Sequence, residues 1–145
     1  MKSTKCIVVS GKSNVGKTSS LKELIKIFEA KYEKILKCPY GYKRETNDVV
    51  AVFKIKNFRV GIMTEGDSVA CIKRGFDLIG NCDFVIGASH IYGETINVYL
   101  ERFNNNELVV LNKVASNNTV LNEKDNRDFA EKLSQLIVCI FSLEK

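Results

Sequence analysis

The feature that most constrains this chain is a loop bounded by two glycines near its start. The segment from Gly11 to Thr18 follows Lys5–Ser10, an apolar run of the length of one strand. The residues after it that recur at the spacing of one helix face are Leu21, Leu24, Ile25 and Phe28. A strand, a glycine-bounded loop ending in Gly-Lys-Thr and a helix are the arrangement that a phosphate-binding loop requires. The sequence therefore predicts binding of a nucleoside triphosphate or of a ligand built like one.

Each residue type in this loop has a predicted role. Gly11 and Gly16 allow the backbone N–H groups to curl inward, and the helix N-terminus adds partial positive charge. Lys17 is predicted to reach the β- and γ-phosphates, and the Thr18 hydroxyl to bind Mg²⁺. The predicted nucleotide contacts are Gly11, Lys12, Ser13, Asn14, Val15, Gly16, Lys17, Thr18 and Ser19, with Asn112 and Lys113 from a later segment. A glycine-rich turn that binds no ligand is the alternative.

The bulk properties predict a single domain spanning residues 1–145. The net charge of +5 suits an anionic ligand and does not indicate nucleic acid. No apolar run approaches the ~18 residues of a membrane helix, and the start of the chain has no signal-peptide pattern. The five cysteines lack the paired spacing of a metal site, so reduced cysteines in a cytoplasmic protein are expected.

The first half of the chain is predicted to continue from the loop into a helix from Lys17 to about Tyr32. Glu33–Cys38 is compatible with a short strand or with more helix. Residues 39–48 hold the only proline and are predicted to form a loop that covers the nucleotide or a second substrate. Val49–Lys56 and Phe58–Met63 are predicted to form an antiparallel hairpin, with the first as an edge strand that has one wet face.

The second half is predicted to alternate helices with strands. The predicted elements are a helix over Val69–Ile79, a strand over Asp83–Ser89, a helix over Ile96–Phe103, a strand over Leu108–Leu111 and a helix over Phe129–Phe141 that follows a polar stretch from Ser116 to Asn126. This order predicts an α/β sandwich around a mostly parallel sheet. Ligands bind at the carboxyl ends of such strands. The segments expected at that edge are Ser10–Thr18, Thr64–Asp67, Ser89–Gly93 and Asn112–Lys113.

Two carboxylates after a predicted strand are candidates for the chemistry. Glu65 and Asp67 are each able to hold Mg²⁺ or to position water, and Lys17, Asp67 and Glu65 are the predicted catalytic residues. Thr18 and Asp67 are the predicted metal ligands. The alternative for Asp67 is that it only caps the next helix. His90, the only histidine, is open to three roles: general base, phosphate contact or plain loop residue.

The loop resembles two families. Gly11-Lys12 with Val15-Gly16-Lys17-Thr18 is similar to the deviant Walker A ATPases, in which a lysine at the place of Lys12 reaches into a partner's nucleotide. Ser13–Ser19 resembles the loop of the Era-type GTPases, and the segment ending in Asn112-Lys113 resembles the strand that reads guanine in that family. The position of the guanine-binding acid is Ala115 here, so the comparison argues against a regular GTPase and favours ATP or a loose choice of base.

The whole chain looks most like a family of small, uncharacterised bacterial P-loop NTPases described only as ATP-binding. The shared features are the Ser-Asn-x-Gly-Lys-Thr loop, Gly66-Asp67 after a strand, and Cys82-Asp83 opening a strand that runs to Gly93. This resemblance implies a P-loop NTPase three-layer sandwich with an antiparallel hairpin at one edge of the sheet. It implies ATP and Mg²⁺ as ligands, but no particular reaction.

Three functions stay open at this point. They are an NTPase whose hydrolysis switches a partner, a small-molecule or nucleotide kinase, and a non-catalytic sensor. The NTPase is favoured because no arginine-rich lid segment follows the third predicted helix. The sequence shows no obvious arginine finger, which predicts slow turnover by the protein alone. The missing positive charge would come from Lys12 across a homodimer interface or from a partner protein. A solvated Lys12 is the alternative.

Overall fold

The strands and helices of this protein follow the predicted alternation closely. The computed structural model describes residues 5–12, 16–39, 48–113 and 119–143. The strands in this part of the chain are β1 (Lys5–Ser10), β2 (Glu33–Pro39), β3 (Val49–Ile55), β4 (Phe58–Met63), β5 (Phe84–Ser89) and β6 (Leu108–Asn112). The helices are α1 (Lys17–Lys31), α2 (Val69–Ile79), α3 (Glu94–Arg102) and α4 (Thr119–Leu143).

The six described strands form one mixed sheet in the order β2-β3-β4-β5-β1-β6. Pairing is parallel for β1 with β5, β1 with β6 and β4 with β5, and antiparallel for β2 with β3 and β3 with β4. Of these six strands, β3 alone therefore runs against the others. Ser10 lies opposite Ser89 on one side and Asn112 on the other, so the chain leaves β1, β5 and β6 at one level.

Helices cover both faces of the sheet because its central strands are apolar on both sides. Successive residues of a strand point to opposite faces. Ile7 and Val9 pack in a core with α1 and α4, whereas Cys6 and Val8 pack in a second core with α2 and α3. The predicted α/β architecture, with a mostly parallel sheet and an antiparallel hairpin, is confirmed.

The expectation that Val49–Lys56 forms an edge strand is wrong. The strand β3 lies between β2 and β4, and Lys54 is its one exposed residue. Glu33–Cys38, which is compatible by sequence with a strand or with more helix, lies in β2, because Tyr32 adopts an extended conformation that ends α1. The edge position belongs to β2, whose residues are mostly exposed. Lys54 and Lys56 are polar because they lie at the end of the strand, not because one face of the strand is exposed to solvent.

The last helix begins earlier than the hydrophobic pattern predicts. It starts at Thr119 rather than after Asn126, so part of the predicted polar stretch is helical. Phe141 and Leu133 are buried against the sheet, which confirms that this helix packs on it. Polar residues near its start are compatible with a helix because Asn126 itself is buried and contacts Ser20. Among the described helices, none has the length and apolar character needed to cross a bilayer.

Replacing Leu133 tests the packing of α4. Its side chain is 2% exposed, whereas Leu136 on the same helix is 39% exposed. Leu133→Ala should lower the free energy of unfolding by about 2–5 kcal/mol, because it removes buried methyl groups and leaves a cavity. Leu136→Ala, the matched control, should change it by less than about 1 kcal/mol. Urea denaturation measures both, and equal effects would contradict the described packing.

Candidate functional site

The ends of three parallel strands bring separate segments of the chain to one edge of the sheet. Gly11 N–H donates to the carbonyl of Ser89 at 3.1 Å, and Lys113 N–H donates to the carbonyl of Ser10 at 2.8 Å. These bonds continue the pairing of β1 with β5 and with β6 past the last strand residues. The starts of the predicted phosphate loop, the His90 segment and the Asn112–Lys113 segment therefore adjoin one another.

The start of α1 depends on a glycine. Gly16 has a φ of 93°, in the left-handed region that favours glycine, and no side chain among the described residues caps the helix. A Cβ at this position would collide with the side chain of Asn126. Asn126 also lies 3.3 Å from the Ser20 hydroxyl, joining α4 to α1. Nothing in the sequence distinguished this asparagine from its solvated polar neighbours.

Lys17 carries its ammonium group into the protein at this edge. The residue is 5% exposed, and Nζ donates to the carbonyl oxygens of Gly11 at 2.8 Å and Ser89 at 3.0 Å. Asp67 Oδ1 lies 3.5 Å from the same nitrogen. Burial lowers the pKa of Lys17, while the Asp67 and Glu65 carboxylates act to raise it. The positive charge is held by oxygens contributed by three separate segments.

Asp67 links Lys17 to the only histidine of the chain. Its Oδ1 lies 3.1 Å from His90 Nε2, and the Asp67 side chain is 55% exposed. The hydroxyl of Ser68, not Asp67, caps α2 by accepting the N–H of Cys71 at 3.3 Å. The alternative prediction that Asp67 serves only as a helix cap is therefore wrong.

Gly66 lets Asp67 approach β5. A Cβ on Gly66 would lie 2.6 Å from the carbonyl carbon of Ala88, which is closer than side-chain atoms approach backbone. The turn after β4 thus presses against the end of β5, where His90 follows. This close contact explains why a glycine precedes the aspartate in the Gly66-Asp67 pair.

Glu65 faces a second carboxylate. It is buried with Asp48, with which it shares a hydrogen bond, and its Oε1 accepts the N–H of Asp67 at 2.6 Å. Asp48 also accepts the hydroxyl proton of Thr64 at 2.8 Å. Burial first, and then the hydrogen bond with Asp48, raises the pKa of Glu65 to about 7. Glu65 positions the backbone of Asp67, and the sequence held no sign of its pairing with Asp48.

The other predicted contact residues have different surroundings. The half-buried Thr18 donates its hydroxyl to the carbonyl of Thr64 at 3.1 Å. Lys12, Ser19 and Asn112 are exposed. Lys113 is buried, with Nζ 5.6 Å from the ring centroid of Phe129, and burial lowers its pKa.

Several predicted positions lie outside the described residues. They are Ser13, Asn14, Val15, Ala115 and the loop residues 40–47. Within the described ranges, no group of three or more His, Cys, Asp or Glu side chains is arranged to hold a metal ion. Magnesium in nucleotide sites is usually held by one or two protein ligands together with phosphate oxygens.

A cleft of about 470 Å³ adjoins the Asp67–His90 pair. Its lining residues are Asp67, Ser68, Val69, Ala70, His90, Tyr92, Glu94 and Thr95. The N–H of His90 donates to the Thr95 hydroxyl at 2.9 Å, which fixes the backbone where β5 leads toward α3. The cleft opens between the N-termini of α2 and α3, on the face of the sheet opposite α1.

The raised pKa of Glu65 predicts a pH-dependent stability. The folded protein holds this proton more tightly than the unfolded chain, whose reference pKa is 4.5. In metal-free buffer, the contribution of Glu65 to the free energy of unfolding should fall as the pH rises from 4.5 to about 7. Glu65→Gln should remove roughly 1–3 kcal/mol of that fall, as measured by urea denaturation across the range.

Glu101→Gln, at an exposed position of α3, is the control and should retain the wild-type pH profile. Parallel profiles for the wild type and Glu65→Gln would contradict the protonated, buried environment assigned to this carboxyl group.

No protein-family model, no curated protein and no solved structure gives a significant match to this chain. The chemistry of this edge of the sheet is therefore inferred from its own side chains, above all Lys17, Asp67 and His90.

Proposed function

We propose that this chain is a P-loop NTPase that binds a nucleoside triphosphate with Mg²⁺, ATP in preference to GTP, and cleaves the bond between the β- and γ-phosphates. The observation that carries the proposal is the buried ammonium of Lys17 at the start of α1. It follows a glycine in the left-handed conformation and lies within 3.5 Å of an aspartate at the end of the neighbouring turn.

The environment of Lys17 suits exchange of its partners for phosphate oxygens. Burying an ammonium group is costly unless hydrogen-bond acceptors surround it. Here the acceptors around Lys17 Nζ are two carbonyl oxygens and one carboxylate. Phosphate oxygens carry more negative charge than carbonyls, so they form stronger charge-assisted hydrogen bonds with the same nitrogen. The N-terminus of α1 adds its unpaired N–H groups to the same place.

Thr18 and Asp67 are the proposed holders of Mg²⁺. The Thr18 hydroxyl and the Asp67 carboxylate both supply oxygen, the ligand type that this ion prefers. Asp67 is half exposed and so remains accessible to a ligand. When bound, Mg²⁺ neutralises charge that develops on the phosphates. The part of Glu65 is then to hold the Asp67 backbone through its hydrogen bond to Asp67 N–H.

Asp67 and His90 are the proposed proton acceptors. In hydrolysis, a water oxygen forms a bond to the γ-phosphorus while the bond to the bridging oxygen breaks. The bridging oxygen leaves with the electron pair on the nucleoside diphosphate, and the water proton passes to the Asp67–His90 pair. A sensor without catalysis would not need this pair, whose contact at 3.1 Å supports the NTPase.

The preference for ATP rests on the sequence. The position that corresponds to the guanine-binding acid in the Era-type GTPases is Ala115. Without that carboxylate, two hydrogen bonds to guanine are lost. Asn112 is exposed at the end of β6, beside the start of the loop, where it remains available to a base.

Lys17→Ala should reduce affinity for Mg²⁺-ATP by at least about a hundredfold, because it removes the charge that faces the phosphates. Lys26→Ala, at a 71% exposed position on the same helix, is the matched control and should bind as the wild type does. Titration of a fluorescent ATP analogue measures both, with circular dichroism to verify folding. Equal displacement by ATP and GTP would contradict the base preference, and unchanged affinity in Lys17→Ala would contradict the site.

Asp67→Asn should reduce phosphate release by about 10²-fold or more, because the amide cannot accept the water proton and is a weaker ligand for Mg²⁺ than the carboxylate. The exposed Asp77 on α2 gives the control variant Asp77→Asn, which should retain wild-type turnover. A continuous phosphate assay in saturating Mg²⁺-ATP provides the measurement. Undiminished release by Asp67→Asn would exclude Asp67 from the reaction.

A further inference from the structure

The cleft beside Asp67 and His90 adjoins the carboxylate that contacts the buried ammonium of Lys17. Asp67 contacts both Lys17 and His90, since the same Oδ1 lies 3.5 Å from Lys17 Nζ and 3.1 Å from His90 Nε2. Both Asp67 and His90 line the cleft, whereas Lys17 does not. A ligand in the cleft would therefore contact the far side of the carboxylate that Lys17 approaches.

The charges on the cleft wall select against an anion. Its described lining contains two carboxylates, Asp67 and Glu94, and neither lysine nor arginine. A helix N-terminus favours negative charge, and two N-termini adjoin the cleft. At α3, Glu94 in the first turn supplies that charge, and at α2 the neutral Ser68 hydroxyl already accepts an N–H. A nucleoside monophosphate or a sugar phosphate would find neither a lysine nor an arginine among the described lining residues.

The rest of the wall suits a small organic cation. The Tyr92 ring is 87% exposed at the cleft, and the aliphatic side chains of Val69 and Ala70 line it. An ammonium group near an aromatic ring gains a cation–π interaction. Glu94 offers the same ammonium a carboxylate. The polar atoms of Asp67 and His90 then remain for a hydroxyl group.

We propose that this cleft binds a small amino alcohol as a second substrate, with its ammonium at Glu94 and Tyr92 and its hydroxyl at the Asp67–His90 pair. The proposal rests on the nucleotide binding proposed above and makes the amino alcohol, in place of water, the phosphoryl acceptor. The alcohol oxygen forms a bond to the γ-phosphorus, and its proton passes to the Asp67–His90 pair. The bond to the bridging oxygen breaks, and the nucleoside diphosphate leaves with that electron pair.

His90 offers a direct measurement of binding, because it is the only histidine in the chain. Its imidazole proton resonance in NMR should shift saturably when ethanolamine or choline is added to the protein with a non-hydrolysable ATP analogue and Mg²⁺. Glycerol, which has hydroxyl groups and no ammonium, should cause a shift that is weaker by about tenfold in apparent affinity. No saturable shift with either amine, or an equal affinity for glycerol, would overturn the proposed ligand class.

Two variants locate the binding at the cleft. Glu94→Gln should weaken the amine response by about tenfold, since it removes the charged partner of the ammonium. Ala70→Phe should weaken it strongly, because the ring occupies part of the cleft from an exposed position on α2. Lys73→Phe places the same ring on α2 at an exposed residue outside the cleft lining, and it should leave the response unchanged. Equal behaviour of Ala70→Phe and Lys73→Phe would place the amine elsewhere.

The transfer step has its own readout. With ATP and ethanolamine, ³¹P NMR should detect ethanolamine phosphate. Its amount together with inorganic phosphate should equal the ADP formed, and Ala70→Phe should make much less of it. Amine binding without a phosphorylated product would overturn the transfer. Both cleft variants should still bind the ATP analogue, so loss of the amine response alone concerns this proposal. Failure of the wild type to bind the ATP analogue would instead contradict the proposed NTPase.

Discussion

The burial of one ammonium group organises the site of this protein. Lys17 begins α1, yet its Nζ reaches back to the carbonyl of Gly11 and across to that of Ser89. Those acceptors come from the ends of β1 and β5, which pair in parallel, so the charge is satisfied only where these two strands are paired. A buried ammonium without such partners would be strongly unfavourable. The same requirement places its positive charge at the sheet edge, where the starts of several loops meet.

The remaining contacts at this edge keep Asp67 beside that charge. The absence of a side chain on Gly66 allows the turn after β4 to press against β5, and the Ser68 hydroxyl caps α2 so that the Asp67 carboxylate stays available. Behind it, Glu65 accepts the Asp67 N–H while sharing a hydrogen bond with Asp48. These buried polar groups stabilise an arrangement in which Asp67 contacts both Lys17 and His90.

Local patterns in the sequence predicted most helices and strands correctly. They predicted less well which of these elements lie beside one another in the fold. The bounds of α2 and the hairpin of β3 with β4 follow from side-chain spacing, because periodicity reports which face is buried. The place of β3 in the sheet does not follow, since pairing with β2 is a contact between segments that the pattern does not record. The Asp48–Glu65 pair and the contact of Asn126 with Ser20 were missed for the same reason. Asp67 and His90 were predicted at the edge because each follows a strand within a few residues, but their contact requires the strand order.

A crystal structure of the protein with a non-hydrolysable ATP analogue and Mg²⁺ would show whether Lys17 binds phosphate. We expect the β- and γ-phosphates at the N-terminus of α1, with Lys17 Nζ moved from the carbonyls of Gly11 and Ser89 to phosphate oxygens. Thr18 and Asp67 should lie on the side of the phosphates that holds Mg²⁺. An analogue bound elsewhere, or a Lys17 that keeps its carbonyl contacts at saturating nucleotide, would exclude this role for Lys17.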